Sequence, residues 1–317
     1  MRPVLGIVIT LATAAALVIE FLRCRHFAFP LRGWIGLALL ALAEALMFRH
    51  VWPVDVYFTP IAWTSYLLIA DAMVQVTRGT SRMTDSLPGF LLCAALSIPL
   101  WTIFEAYNLR LANWTYVGVP VSWAGALLGY GWSFATITPG ILETADLIEA
   151  FGWFRTTRRP LRFSQRAERF MMFFGAACLL LPLILPQRIA AYLFALVWVG
   201  FIFLLEPLNR LMGLPSLLGD LRQGRRGRLY SLLLSGWVCG WLWEFWNNWA
   251  AAKWHYIFPI AQPWKIFEMP APGFLGFLPF ALECFVMYVA ATALLGVRSQ
   301  AGLRSRELPC HELETKT

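Results

Sequence analysis

Six carboxylates stand inside apolar sequence, and they come in three pairs. Asp71 and Glu206, Glu105 and Glu244, and Glu143 and Glu283 recur at matching places in the two halves of a 317-residue chain. Asn108 and Asn247 follow the middle pair three residues on, a spacing that puts each Glu–Asn couple on one helix face. A Trp-x-Tyr comes next in both halves, as Trp114 and Tyr116 and as Trp254 and Tyr256. A carboxyl group buried among apolar side chains tends to stay neutral and can then give up a proton. Indole and phenol faces attract cations. Together these residues suit proton transfer to an apolar substrate. Glu283, Glu143, Glu244 and Glu105 are the candidate catalytic groups. Asn108, Asn247, Trp114, Tyr116, Trp254 and Tyr256 are the candidate substrate contacts, and Asp71 and Glu206 are further buried acids. The competing readings are structural. Glu105 and Glu244 can snorkel to an interface or pair with Arg110 or Lys253, and the aromatic residues can form an interfacial belt.

The composition says where such residues must work. Hydrophobic residues make up 59% of the chain, aromatic ones 15% and charged ones only 14%, with a mean hydropathy of +0.61. A soluble domain carries about 25% charge. A cytosolic enzyme, a disordered chain and a disulfide scaffold are therefore excluded. The six cysteines (Cys24, Cys93, Cys178, Cys239, Cys284 and Cys310) are scattered, without C-x-x-C, and most lie in apolar runs. That pattern fits small helix-packing residues and gives no zinc site. His26, His50, His255 and His311 are too few and too isolated for a haem or di-iron centre. No phosphate loop, G-x-S-x-G or H-E-x-x-H is present. Neither a metal nor a cofactor is expected.

Nine apolar segments carry the candidate residues: about 3–22, 33–48, 55–76, 87–109, 129–152, 168–186, 189–209, 229–249 and 271–297. Most approach the roughly 20 residues that span a bilayer core. The expected class is an all-α polytopic membrane protein with about nine transmembrane helices. Arg23 and Arg25 follow the first segment with no clear cleavage site, so it reads as a helix and not as a signal peptide. Alternate loops divide Lys and Arg 20 to 6, which by the positive-inside rule predicts an outer N-terminus and a cytoplasmic C-terminus. The expected location is a bacterial inner membrane. These basic residues lie in short loops at helix ends and not in one patch with stacking aromatics, so nucleic acid is not an expected partner.

The pairing of acids is part of a longer duplication. Trp63 to Asp71 matches Trp198 to Glu206 at an offset of 135, and Phe104 to Asn108 matches Trp243 to Asn247 at 139. Trp114 to Tyr116 matches Trp254 to Tyr256 at 140, and Thr138 to Glu143 matches Leu278 to Glu283, also at 140. Loop insertions account for the drift. The expected division is an N-terminal helix with a basic loop over 1–32, repeats of four helices over 33–160 and 161–297, and a cytoplasmic tail over 298–317. An even helix count per repeat gives both copies one orientation, related by an axis along the membrane normal.

The second copy, with Trp243-Glu244, Asn247, Lys253-Trp254-His255-Tyr256 and Pro279 to Phe285, resembles the membrane lycopene cyclases and the related carotenoid end-group hydratases. The resemblance extends over roughly 55–297. It implies a duplicated helical bundle whose isoprenoid site is lined by Glu244, Trp254, Tyr256, Pro279 and Glu283. Glu105, Trp114, Tyr116, Pro139 and Glu143 would stand opposite. Where the cyclase pattern has adjacent acids after the proline, this chain has one Glu in each copy. The expected function is a redox-neutral isoprenoid cyclase or hydratase in which a carboxylic acid protonates a carbon–carbon double bond. Two other readings suit the same residues. One is a proton-coupled transporter built on symmetric mid-membrane acids. The other is a non-catalytic lipid-binding protein whose acids only tie helices together.

Overall fold

A computed structural model describes residues 2–155 and 158–297; the tail expected over 298–317 lies outside the described residues. After α1 (Arg2–Cys24) come α2 (Leu31–Phe48), α3 (Phe58–Arg78), the one-turn α4 (Arg82–Asp85) and α5 (Leu87–Leu111). Strand β1 (Trp114–Val117), α6 (Trp123–Ala135) and α7 (Ile137–Phe151) complete the first half. The second half begins with α8 (Gln165–Ile184), the one-turn α9 (Gln187–Ala190), α10 (Phe194–Leu211), the short α11 (Leu217–Arg222) and α12 (Gly227–Trp249). Strand β2 (Lys253–Tyr256), a hairpin of β3 (Lys265–Ile266) and β4 (Met269–Pro270), a 3-10 helix (Ala271–Gly276) and α13 (Phe277–Leu294) follow.

The fold is mostly helical. Among the described residues six stretches are long and apolar enough to cross a membrane: Pro3–Cys24, Leu31–Phe48, Leu87–Leu111, Gln165–Ile184, Phe194–Leu211 and Ala271–Leu294. Their outward faces carry bare apolar side chains, such as Val4, Val8 and Leu11 on α1 and Phe170 and Phe173 on α8. Such surfaces suit lipid better than water. At 21 and 23 residues, α3 and α12 are also of spanning length. They are more polar along their length and are buried within the bundle.

The apolar segment expected over 129–152 is not one helix. It starts earlier, at Trp123, and breaks at Thr136 into α6 and α7. Pro139 lies in the first turn of α7, where its missing N–H is tolerated, and it cannot continue the ladder back into α6. Ser97 of α5 bridges the break. Its hydroxyl donates to the Phe134 carbonyl at 2.5 Å and accepts the Thr138 N–H at 3.0 Å. The last segment likewise opens as a 3-10 helix before α13, with Pro279 in the first turn of α13. The two Trp-x-Tyr stretches are strands. Cys93, Cys178, Cys239 and Cys284 are buried free thiols inside helices, as expected, whereas Cys24 is disulfide-bonded.

Helix α2 packs on α3, and α8 on α10, at the two flanks. Between them α3, α7, α10, α12 and α13 pack on one another, so a single apolar core runs through both halves. Small residues allow the closest approach. A Cβ on Gly175 of α8 would stand 2.4 Å from the Leu204 amide nitrogen and 2.7 Å from the Gly200 carbonyl oxygen. A Cβ on Gly200 would meet the Leu179 side chain at 2.7 Å. Backbone contact of this kind is how helices associate without a hydrophobic driving force. Gly175→Val should force α8 and α10 apart, and the detergent-solubilised protein should unfold several degrees lower, as read by thermal circular dichroism. An unchanged unfolding temperature would contradict this packing.

Candidate functional site

The two Trp-x-Tyr segments meet at the centre. β1 and β2 pair antiparallel, with Trp114 opposite Tyr256, Thr115 opposite His255 and Tyr116 opposite Trp254. The register is self-complementary about the Thr115–His255 pair. Each strand is tied to the helix before it by one asparagine. Asn108 Nδ2 donates to the Trp114 carbonyl at 2.9 Å, and its Oδ1 accepts the N–H groups of Asn113 and Trp114 at 2.8 and 3.0 Å. Asn247 repeats the grip, with Nδ2 donating to the Trp254 carbonyl at 2.9 Å and Oδ1 accepting the Trp254 N–H at 3.0 Å. Both amides are spent on backbone, and neither residue lines the cavity described below. The candidate substrate contacts Asn108 and Asn247 thus lie outside the cavity lining. They hold the strands.

The glutamates one turn earlier take the side chains of the same strands. Glu105 accepts the Tyr116 hydroxyl at 2.5 Å, the Trp101 indole N–H at 2.9 Å and the Trp114 indole N–H at 3.3 Å. Glu244 accepts the Tyr256 hydroxyl at 3.0 Å and the Trp254 indole N–H at 3.4 Å. Alternate residues of a strand share a face, so Trp and Tyr reach one carboxylate together. Burial, reinforced by the adjoining Glu105 carboxyl, holds the Tyr116 phenol well above its ordinary pKa, and burial beside Glu244 does the same for Tyr256. Both strand tyrosines therefore carry their protons across the working pH range. The copies differ at one point. Trp101 corresponds to Gly240, where a Cβ would strike the Phe277 ring at 2.4 Å.

A cavity of about 140 Å³ lies against the sheet, between the halves. The candidate substrate contacts Trp114, Tyr116, Trp254 and Tyr256 line it. So do Trp63, Trp101, Trp198, Trp243, Phe277 and Phe280, together with Tyr57, Tyr130 and Phe134. Trp63 and Trp243 meet at 4.8 Å with their rings tilted by 39°, and Tyr116 meets Tyr130 edge-on at 5.0 Å. Lys253 is the one charged residue in the lining. Sequence reasoning used Trp63, Trp198 and Trp243 only as markers of the duplication and missed Trp101. A signal for Trp101 existed, because it precedes Glu105 by four residues and so shares its helix face.

The four remaining acids go elsewhere. Asp71 accepts the Ser81 hydroxyl and the Met83 N–H, both at 3.0 Å, and is also paired with Arg32. Glu206 accepts the Ser216 hydroxyl at 2.6 Å and the Leu218 N–H at 2.8 Å. Both acids therefore secure the N-terminus of a short helix, α4 or α11, at the end of the bundle opposite the strands. Glu143 and Glu283 are completely buried, and neither oxygen of either carboxyl has a hydrogen-bond partner among the described residues. Neither lines the cavity. Glu105 and Glu244 stand directly behind the cavity wall, because each precedes a strand that carries donors to it.

The asparagine grip has a measurable consequence. Asn247→Ala should cost about 1–3 kcal/mol through the unpaired backbone groups it leaves. Amide exchange at 253–256 should quicken. Equal protection in the variant and the parent would show that the strand holds itself. No protein-family model matches the chain, and no curated protein or solved structure matches it.

Proposed function

We propose that this protein is an intramembrane enzyme acting on an isoprenoid, in which two glutamate–tyrosine pairs move protons at an aromatic cavity. The observation that carries this reading is the placement of the Tyr116 and Tyr256 hydroxyls. Each lies on a residue lining the cavity, and each is hydrogen-bonded to a glutamate behind it, half-buried Glu105 or fully buried Glu244. In the forward step the Tyr116 O–H bond breaks as a C–H bond forms at a substrate double bond. Protonated Glu105 restores the phenol by giving up its own proton. The resulting tertiary cation is stabilised by the faces of Trp63, Trp243 and their neighbours. At the other pair the Tyr256 oxygen takes a proton from carbon, or from an attacking water, while its own proton passes to the Glu244 carboxylate. One proton enters and one leaves, so the reaction is redox-neutral: cyclisation in the first case, hydration in the second.

The resemblance to lycopene cyclases and end-group hydratases supports the substrate class. The matching element order of the halves and the symmetric strand register support a parallel 1 + 4 + 4 arrangement with about nine spans. The N-terminus would be outside and the C-terminus cytoplasmic in a bacterial inner membrane, so the strands lie at the outer end. A second reading, a proton-coupled carrier, is favoured by one observation, the partnerless carboxyls of Glu143 and Glu283.

Expression in a lycopene-producing host should change the pigment profile, and Glu105→Gln, Glu244→Gln, Tyr116→Phe and Tyr256→Phe should each lower the conversion at least tenfold. Unchanged pigments with folded protein in the membrane would reject the enzyme. A pH-gradient-driven flux in proteoliposomes that is lost in Glu143→Gln and Glu283→Gln would favour the carrier.

A further inference from the structure

The cavity is apolar almost throughout, yet one place on its wall holds two hydrogen-bond donors with nothing to bond. Among the buried polar atoms without a protein partner in the described residues, only Thr59 Oγ1 and Trp63 Nε1 belong to residues lining the cavity. Thr59 is 8% exposed and Trp63 1%. They stand one turn apart on α3, so both present to the same side of that helix. The Trp63 ring is held by Trp243, by Trp246 at 5.2 Å and by Tyr66 at 5.3 Å. The Gly140 backbone closes its benzene edge, where a Cβ would approach to 3.0 Å. Fixed on these sides, the indole cannot turn to find a partner. A buried donor left unmade is costly, and such groups in native proteins are normally satisfied.

The second half lacks the feature. At the offset that relates Trp63 to Trp198, Thr59 corresponds to Phe194, which has no donor. The unsatisfied pair is therefore peculiar to one side of an otherwise duplicated cavity.

We infer that Thr59 and Trp63 form an oxygen subsite, and that the cavity favours an isoprenoid bearing a hydroxyl or carbonyl oxygen over the hydrocarbon of the same skeleton. An indole N–H can only donate, so the ligand atom must accept. A threonine hydroxyl can donate or accept, which suits an alcohol or ketone oxygen placed between the two. The rest of the molecule lies along the aromatic wall. The inference rests on the cavity being the isoprenoid site proposed above.

The test uses the full chain in lipid nanodiscs, with tryptophan fluorescence followed as geranylgeraniol, or the hydrocarbon of the same skeleton without the hydroxyl, is added at equal mole fraction. The alcohol should quench at about a tenfold lower mole fraction, the worth of one good buried hydrogen bond. Thr59→Val, which keeps the size, should erase most of that advantage and leave the hydrocarbon curve in place. Thr59→Ser should retain it. Equal affinity for alcohol and hydrocarbon in the parent overturns the oxygen subsite while the cavity reading stands. So does an equal loss of both ligands in Thr59→Val. If neither compound binds the parent, the cavity reading itself falls.

Discussion

Two asparagine side chains decide how the centre of this molecule is built. A strand of four residues between spanning helices would otherwise leave backbone N–H and C=O groups unpaired in surroundings where water is scarce, at several kcal/mol each. Asn108 and Asn247 answer that demand with the two ends of one amide, and the strands answer the rest by pairing with each other. Once the strand backbone is held in this way, its alternation leaves no choice about the side chains. Trp and Tyr of each strand project to one side, where the preceding helix offers a glutamate and the partner half offers the cavity.

The same logic separates acids that look alike in the chain. A buried carboxylate must find donors or stay neutral. Asp71 and Glu206 find a serine hydroxyl and a backbone N–H at the start of a short helix. Glu105 and Glu244 find indoles and phenols. Glu143 and Glu283 find no hydrogen-bond partner among the described residues, although Asp146, a turn further along α7 from Glu143, is paired with Arg82 at 2.5 Å. Three pairs of acids thus hold three different positions: one secures short helices, one meets the strand tyrosines at the cavity, and one has no hydrogen-bond partner among the described residues.

Symmetry between the halves is strict where backbone must be satisfied and loose where side chains meet the cavity. The asparagine grip, the glutamate–tyrosine contact and the capped short helix all recur. Trp101 against Gly240 and Thr59 against Phe194 do not. A cavity with two like ends and one altered wall can hold an elongated ligand in a single direction, because the unpartnered Thr59–Trp63 pair has no counterpart on the other side.

Much of this was legible in the chain itself. Low charge and long apolar runs require a membrane-spanning helical protein, since no soluble core could absorb them. The helical positions followed from the same runs, and the recurrence of Trp, Glu, Asn and Trp-x-Tyr in one order marked both the duplication and four residues of the cavity wall. What the spacing could not carry was distance between elements. Glu283 and Glu105 have equal standing as buried acids in the sequence. Only the folded chain sets one against tyrosine at the cavity and the other behind the wall without a partner. Composition and periodicity act along the chain and so determine class, segments and repeat. Whether a carboxylate is a cap, a proton donor or an orphan depends on which donors other helices bring within 3 Å, and that is decided by tertiary packing alone.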